Sequence, residues 1–180
     1  MLDPAIGYLI IAGTALLFAS AAVHKLRSLA RFTEIFAAYE VLPDALSRRL
    51  AWAIPCVEFG VSTSLLWPVT RNAAVLAAIA LLIAYAAGIG VNLRRGRFDL
   101  DCGCGAARDR RVIAPWMLWR NLLLAGFLGI TLVPWSGRSL DLTDVPTFVG
   151  GLLVSLVLYA AVDRLLGDVA RKGIMLRGTS

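Results

Sequence analysis

Residues 73–91 read AAVLAAIALLIAYAAGIGV, nineteen consecutive positions without a charged side chain. A run of about 18 or more apolar residues is long enough to cross a bilayer as one helix. Lipid offers no partner to open backbone N–H and C=O groups, so such a run closes its own hydrogen bonds by becoming helical. Alanines, with Gly88 and Gly90, let neighbouring helices approach closely. This stretch predicts an all-α membrane fold. The whole chain agrees: it is 59% hydrophobic and 17% charged, with a mean hydropathy of +0.76. A soluble domain is nearer half apolar and a quarter charged.

Working outward, the turn Pro68–Asn72 is short, so the span before it should run antiparallel beside this one. That earlier span, about 46–67, starts after Asp44 and contains Pro55, Cys56 and Glu58. Pro55 frees a carbonyl one turn back and is expected to kink the helix. Before it, Leu29, Phe32, Ile35, Phe36 and Tyr39 recur at helical spacing over about 28–41, a pattern that suits a short helix lying in the interface. Leu42-Pro43 ends it. A first span, about 5–23, ends in the basic stop His24-Lys25-Leu26-Arg27. No Lys or Arg precedes His24, so this segment reads as an uncleaved span and not a signal peptide. Downstream, Pro115 opens a span of about 115–133, and Pro146 one of about 146–166 followed by a basic tail with Arg171, Lys172 and Arg177. The expected architecture is one integral membrane domain over 1–180. It has five transmembrane helices, a four-helix core plus one, with one interfacial helix.

Charge orients it. With five spans, fifteen Lys and Arg residues fall on one side, and only Arg71 and Arg138 on the other. Cytoplasmic loops collect Lys and Arg. The expectation is an inner-membrane protein with its N-terminus outside and its cysteine loop and C-terminus on the cytoplasmic side. The net charge of +6 is therefore a topology signal. No basic tail interleaved with aromatics suggests nucleic acid. Oligomeric state is not legible.

The chemistry concentrates in the polar loop 92–114, at Asp99-Leu100-Asp101-Cys102-Gly103-Cys104-Gly105. Disulfide exchange needs a thiolate that can reach a disulfide sulfur. Cys102 and Cys104, one glycine apart, could close a strained and easily reduced ring. Six loop arginines favour thiolates and Asp99 and Asp101 oppose them. Three alternatives stand beside this: unreactive loop cysteines, a non-catalytic scaffold, or a soft-metal site built from Cys56, Cys102 and Cys104 for Cu, Hg or Zn binding or transport. Cys56 is either a third exchanging thiol or a small buried hydrophobe. Glu58 and Arg120 are costly in lipid. They form an ion pair with each other, or handle protons or anchor a quinone or thiol substrate with His24 and Asn121. A quinone is the one cofactor these residues suggest. The tryptophans mostly read as interface anchors.

Five runs occur in a recognisable order. They are Ala22-Val23-His24-Lys25-Leu26, Phe32 to Tyr39 with Val41-Leu42-Pro43, Pro55-Cys56-Val57-Glu58, Asp101-Cys102-Gly103-Cys104-Gly105, and Trp119-Arg120-Asn121. Together they resemble the methylamine-utilisation MauE family of DoxX-like membrane proteins, over most of the first 135 residues. The resemblance implies a helical membrane bundle related in shape to four-helix thiol oxidoreductases of the vitamin K epoxide reductase type. It also implies disulfide handling beside an extracytoplasmic thioredoxin-like partner, as in maturation of a dehydrogenase subunit.

Overall fold

A computed structural model describes residues 1–102 and 112–177, the last seven by backbone alone. Six helices follow one another: α1 Pro4–Arg27, α2 Leu29–Ala38, α3 Asp44–Leu65, α4 Arg71–Arg94, α5 Pro115–Ile130 and α6 Asp144–Arg177. Among the described residues there is no strand, only two isolated bridges. Local chemistry sets several boundaries. Asp3 caps α1 by accepting from the Ala5 N–H at 2.9 Å, with Pro4 at the first helical position. Glu40, at φ 47°, turns the chain after α2.

α3 packs on α1, α5 on α4, and α3 also meets α4. The central core joins Ile11 and Phe18 of α1, Leu65 of α3, Ala78 and Leu82 of α4, and Leu128 of α5. The Ser62 hydroxyl donates to the Ala15 carbonyl at 2.8 Å and ties α3 to α1 inside the bundle. α6 leans on α1, and none of its described side chains is buried. Leu153, Val157, Leu158 and Leu165 stand exposed on it. A helix this apolar and this exposed suits lipid as its surroundings.

Three helices are long and apolar enough to cross a membrane: Pro4–Arg27, Arg71–Arg94 and Asp144–Ala170. They fit a multi-pass membrane protein. α3 carries Arg48, Arg49 and Glu58, and α5 has 16 residues, so those two differ from the other three in charge and length. Several helix ends also differ from expectation. α4 continues three residues past Val91, because Asn92 packs inward and bonds the end of α2. α6 runs to Arg177, so Arg171, Lys172 and Arg177 lie on a helix and not in a tail. α3 is helical on both sides of Pro55, whose ring is buried.

Tertiary contacts sort the helix ends. At one end the Leu2 N–H donates to the Pro134 carbonyl at 3.1 Å, and the Ser136 N–H donates to the Leu2 carbonyl at 2.8 Å. Tyr8 meets Trp135 edge-on at 5.0 Å, and the Arg71 guanidinium lies over both rings. A Cβ on Gly7 would stand 2.8 Å from the Trp135 ring. Gly7→Ala should therefore push the indole aside and cost about 1–3 kcal/mol, read as a lowered unfolding midpoint in detergent. The Arg138 guanidinium bonds both Asp3 and Asp144 here, and its hydrogen bond holds the Asp3 carboxyl below the ordinary carboxylate range. That contribution is present above the unfolded-state value near 3.8 and is lost as pH falls through the lower folded value.

At the other end the Asn92 amide donates to the Tyr39 carbonyl at 3.1 Å, and Arg97 pairs with Glu40 at 3.1 Å. α2 is thereby fastened across the end of α4.

Candidate functional site: a pinned cysteine and a buried Lys–Glu–Tyr cluster

The cysteine loop leaves the bundle from a closed base. The Ile113 N–H donates to the Leu100 carbonyl at 2.9 Å, and Asp101 and Val112 form an antiparallel bridge. Arg31 of α2 holds Asp101 at 2.7 Å. Cys102 is the first residue inside this base and is 9% exposed. It packs with Ile89 of α4, Ile113, and Met117 of α5, with Tyr39 and Trp116 against the same cluster. Cys104 and Gly103 lie outside the described residues, as do Arg108, Arg110 and Arg111. Beside the base, a cleft of about 440 Å³ is lined by Arg31, Glu34, Asp99 and Asp101 among others. Arg31→Ala should loosen the base and speed labelling of Cys102 by a bulky maleimide several-fold, measured against the unaltered protein.

A second cluster sits inside the bundle. Lys25 of α1 donates to Glu58 Oε1 of α3, and the Tyr85 hydroxyl of α4 donates to the same oxygen at 2.6 Å. Lys25 Nζ also donates to the Tyr85 hydroxyl at 3.3 Å. The two ionisable side chains are 6% and 1% exposed. Lys25 lies over the rings of Phe32 and Tyr85, at 5.2 and 4.8 Å. Glu58 Oε2 is buried and meets no donor among the described residues. Three helices thus converge on one carboxylate, with Phe32 of α2 against the cation.

The sequence reading is changed here. Glu58 pairs with Lys25, and Arg120 pairs with Asp163 of α6 at 2.7 Å, so Glu58 and Arg120 do not form the expected ion pair. Lys25, part of the basic stop in the sequence, points into the core. Spacing could have shown this. Ile11, Ala15, Phe18 and Ala22 mark the buried stripe of α1, and Lys25 is its next member, three residues on. His24, one position away, is exposed. Tyr85 continues the face begun by Ala78 and Leu82 at the same interval. Cys56 is exposed, two residues or about 200° round α3 from Glu58. No described residue of α3 packs in the Cys102 cluster, so the structure does not bring Cys56 to Cys102. Asn121 is buried. Trp52, Trp67 and Trp119 are exposed as interface anchors would be, whereas Trp116 and Trp135 pack inward. Among the described residues no group of three His, Cys, Asp or Glu side chains could hold a metal ion.

A helical bundle with apolar spans, a cross-helix ion pair and a pinned cysteine loop defines a multi-pass membrane protein of the all-α class. The chain belongs to the MauE family: the family described as "Methylamine utilisation protein MauE" matches residues 3–134, which covers α1 to α5 and the cysteine loop. It is 32% identical to "Methylamine utilization protein MauE" of Methylophilus methylotrophus, over 94% of this chain and 90% of that protein. The same-named protein of Paracoccus versutus is 33% identical over 94% and 91%. That of Paracoccus denitrificans is 38% identical over 61% and 59%. No solved structure matches.

Proposed function

We propose that this protein is a membrane thiol–disulfide oxidoreductase of methylamine utilisation. Cys102 and Cys104 form its exchanging pair, Cys56 is a third thiol, and a thioredoxin-like protein is its partner. The observation that carries the reading is the closed base of the loop. The Asp101–Val112 bridge and the Arg31–Asp101 pair fix Cys102 in place, while Cys104 follows two residues later across a glycine. One held sulfur and a second on a short tether is an arrangement that can close and reopen a disulfide.

Reducing a disulfide takes up protons as well as electrons. In this reading Glu58, with Lys25 and Tyr85, holds a proton inside the bundle, and His24 and Asn121 stand at the same end. A quinone as final electron carrier would suit a membrane enzyme of this kind. The grouping of helix ends supports five spans with α3 and α5 crossing alongside the other three. The end bearing Arg27, Arg48, Arg49, Arg94 and Arg95 is then cytoplasmic in the inner membrane, and the cysteine loop lies there.

Thiol trapping tests the reading. Protein oxidised mildly and quenched with a mass-tagged maleimide should show a reducible bond joining Cys102 and Cys104. If every cysteine remains a thiol, and a Cys102→Ser variant still supports growth on methylamine, the reading is wrong.

A further inference from the structure

We propose that Trp116 is a positioning residue for Cys102, its indole N–H kept free for the charge that develops on that sulfur. The inference rests on the disulfide-exchange reading above. Trp116 packs against the cluster that contains Cys102, one turn before Arg120 on α5. Its Nε1 is fully buried and meets no acceptor among the described residues. Leaving a buried donor unmatched costs about 1–3 kcal/mol, and most buried polar groups avoid it. Such a cost is tolerable where the partner acceptor exists only in another state of the site.

The cluster itself identifies that acceptor. Ile89, Ile113, Leu93, Leu100 and Leu118 offer no side-chain oxygen or nitrogen, Met117 offers only a weakly accepting thioether, and Tyr39 brings a hydroxyl oxygen that the Trp116 N–H does not bond. The one side chain of this set that disulfide exchange turns into an anion, and so into a stronger acceptor, is Cys102. The ring is also held in place from behind. The Arg120 guanidinium lies 5.4 Å from the centre of the Trp116 ring, and Asp163 of α6 anchors Arg120 at 2.7 Å. Arg120 therefore acts on the cysteine through Trp116 and not by contact with substrate.

In the exchange step a thiolate of the partner attacks the other sulfur of a disulfide in which Cys102 takes part. A new S–S bond forms between the partner and that sulfur. The bond to Cys102 breaks, and its electron pair remains on Cys102 Sγ. A hydrogen bond from Trp116 Nε1 to this sulfur stabilises the leaving thiolate, and with it the reduced state.

The test uses full-length protein in nanodiscs, labelled with ¹⁵N at the tryptophan indoles. Trp116→Phe keeps an aromatic of similar shape, removes the N–H and assigns the Trp116 signal by its disappearance. The Trp116 indole proton should move downfield when the protein is reduced, and should not move in Cys102→Ala. The Trp116→Phe equilibrium should shift about tenfold toward the disulfide, a potential lower by ~30 mV. Leu118→Ala, a packing change in the same wall, should leave the potential unshifted. An indole signal indifferent to Cys102, or a Trp116→Phe potential equal to that of the unaltered protein, overturns the proposal. So does an equal shift in Leu118→Ala. Failure of the exchange reading looks different: the unaltered protein then forms no reversible disulfide at all.

Discussion

Lys25→Met is expected to destabilise the bundle by about 3–5 kcal/mol, and Glu58→Gln by a similar amount, whereas Lys25→Met combined with Glu58→Leu should recover most of the loss. The reason is asymmetry. Lys25 and Glu58 are almost wholly buried and bonded to each other, so removing either leaves a charge or a lone polar group that neither water nor lipid can reach. Removing both replaces an expensive pair with apolar volume. Tyr85→Phe deletes only the hydroxyl bond to Glu58 Oε1 and should cost about 1.5–3 kcal/mol, the range for hydrogen bonds to charged groups. Thermal or denaturant unfolding of the detergent-solubilised protein reads all four variants. Single variants within about 1 kcal/mol of the parent would show that the cluster holds nothing together. A double variant as unstable as the singles would show that shape, not charge pairing, sets the cost.

The second large effect is chemical. Cys102→Ser and Cys104→Ser should each reduce disulfide exchange with a thioredoxin-like protein to background, because a hydroxyl does not ionise or attack sulfur as a thiolate does. Cys102→Ser also buries a hydroxyl in an apolar cluster, at a cost of about 1–3 kcal/mol, so its unfolding is measured beside its exchange activity. Cys56→Ser should leave the Cys102–Cys104 bond intact, because Cys56 stands exposed on α3 and outside the Cys102 cluster. Gel shifts after maleimide tagging, paired with growth on methylamine, separate these outcomes. Unchanged exchange in either loop variant would remove the pair from the mechanism.

Much of the fold was legible because lipid simplifies the code. A charge-free run such as 73–91 has one way to satisfy its backbone, so α4 could be read but for two residues at its start and three at its end, and so could the proline-led start of α5. Length past the apolar core was harder. The end of α4 depends on Asn92 reaching the Tyr39 carbonyl, a contact made by a segment fifty residues away. Partner choice was the least legible. Glu58 and Arg120 are the conspicuous charges inside spans, and composition alone pairs them. Helical phase instead brings Lys25 to Glu58, and the neighbouring α6 brings Asp163 to Arg120. The cysteine pair was visible from sequence, but the device that seats Cys102 was not. That device is a two-residue bridge closed by an arginine from α2, and neither leaves a periodic trace.

The most direct measurement is labelling of Cys102 and Cys104 with a membrane-impermeant maleimide in right-side-out and inverted vesicles, with the redox state of each cysteine read from the same samples. The account predicts a reversible bond between the two, opened by a thioredoxin-like protein, with labelling of the reduced pair only when the cytoplasmic face is presented. Thiols that stay unpaired under mild oxidant, or that react only from the opposite face, would contradict it.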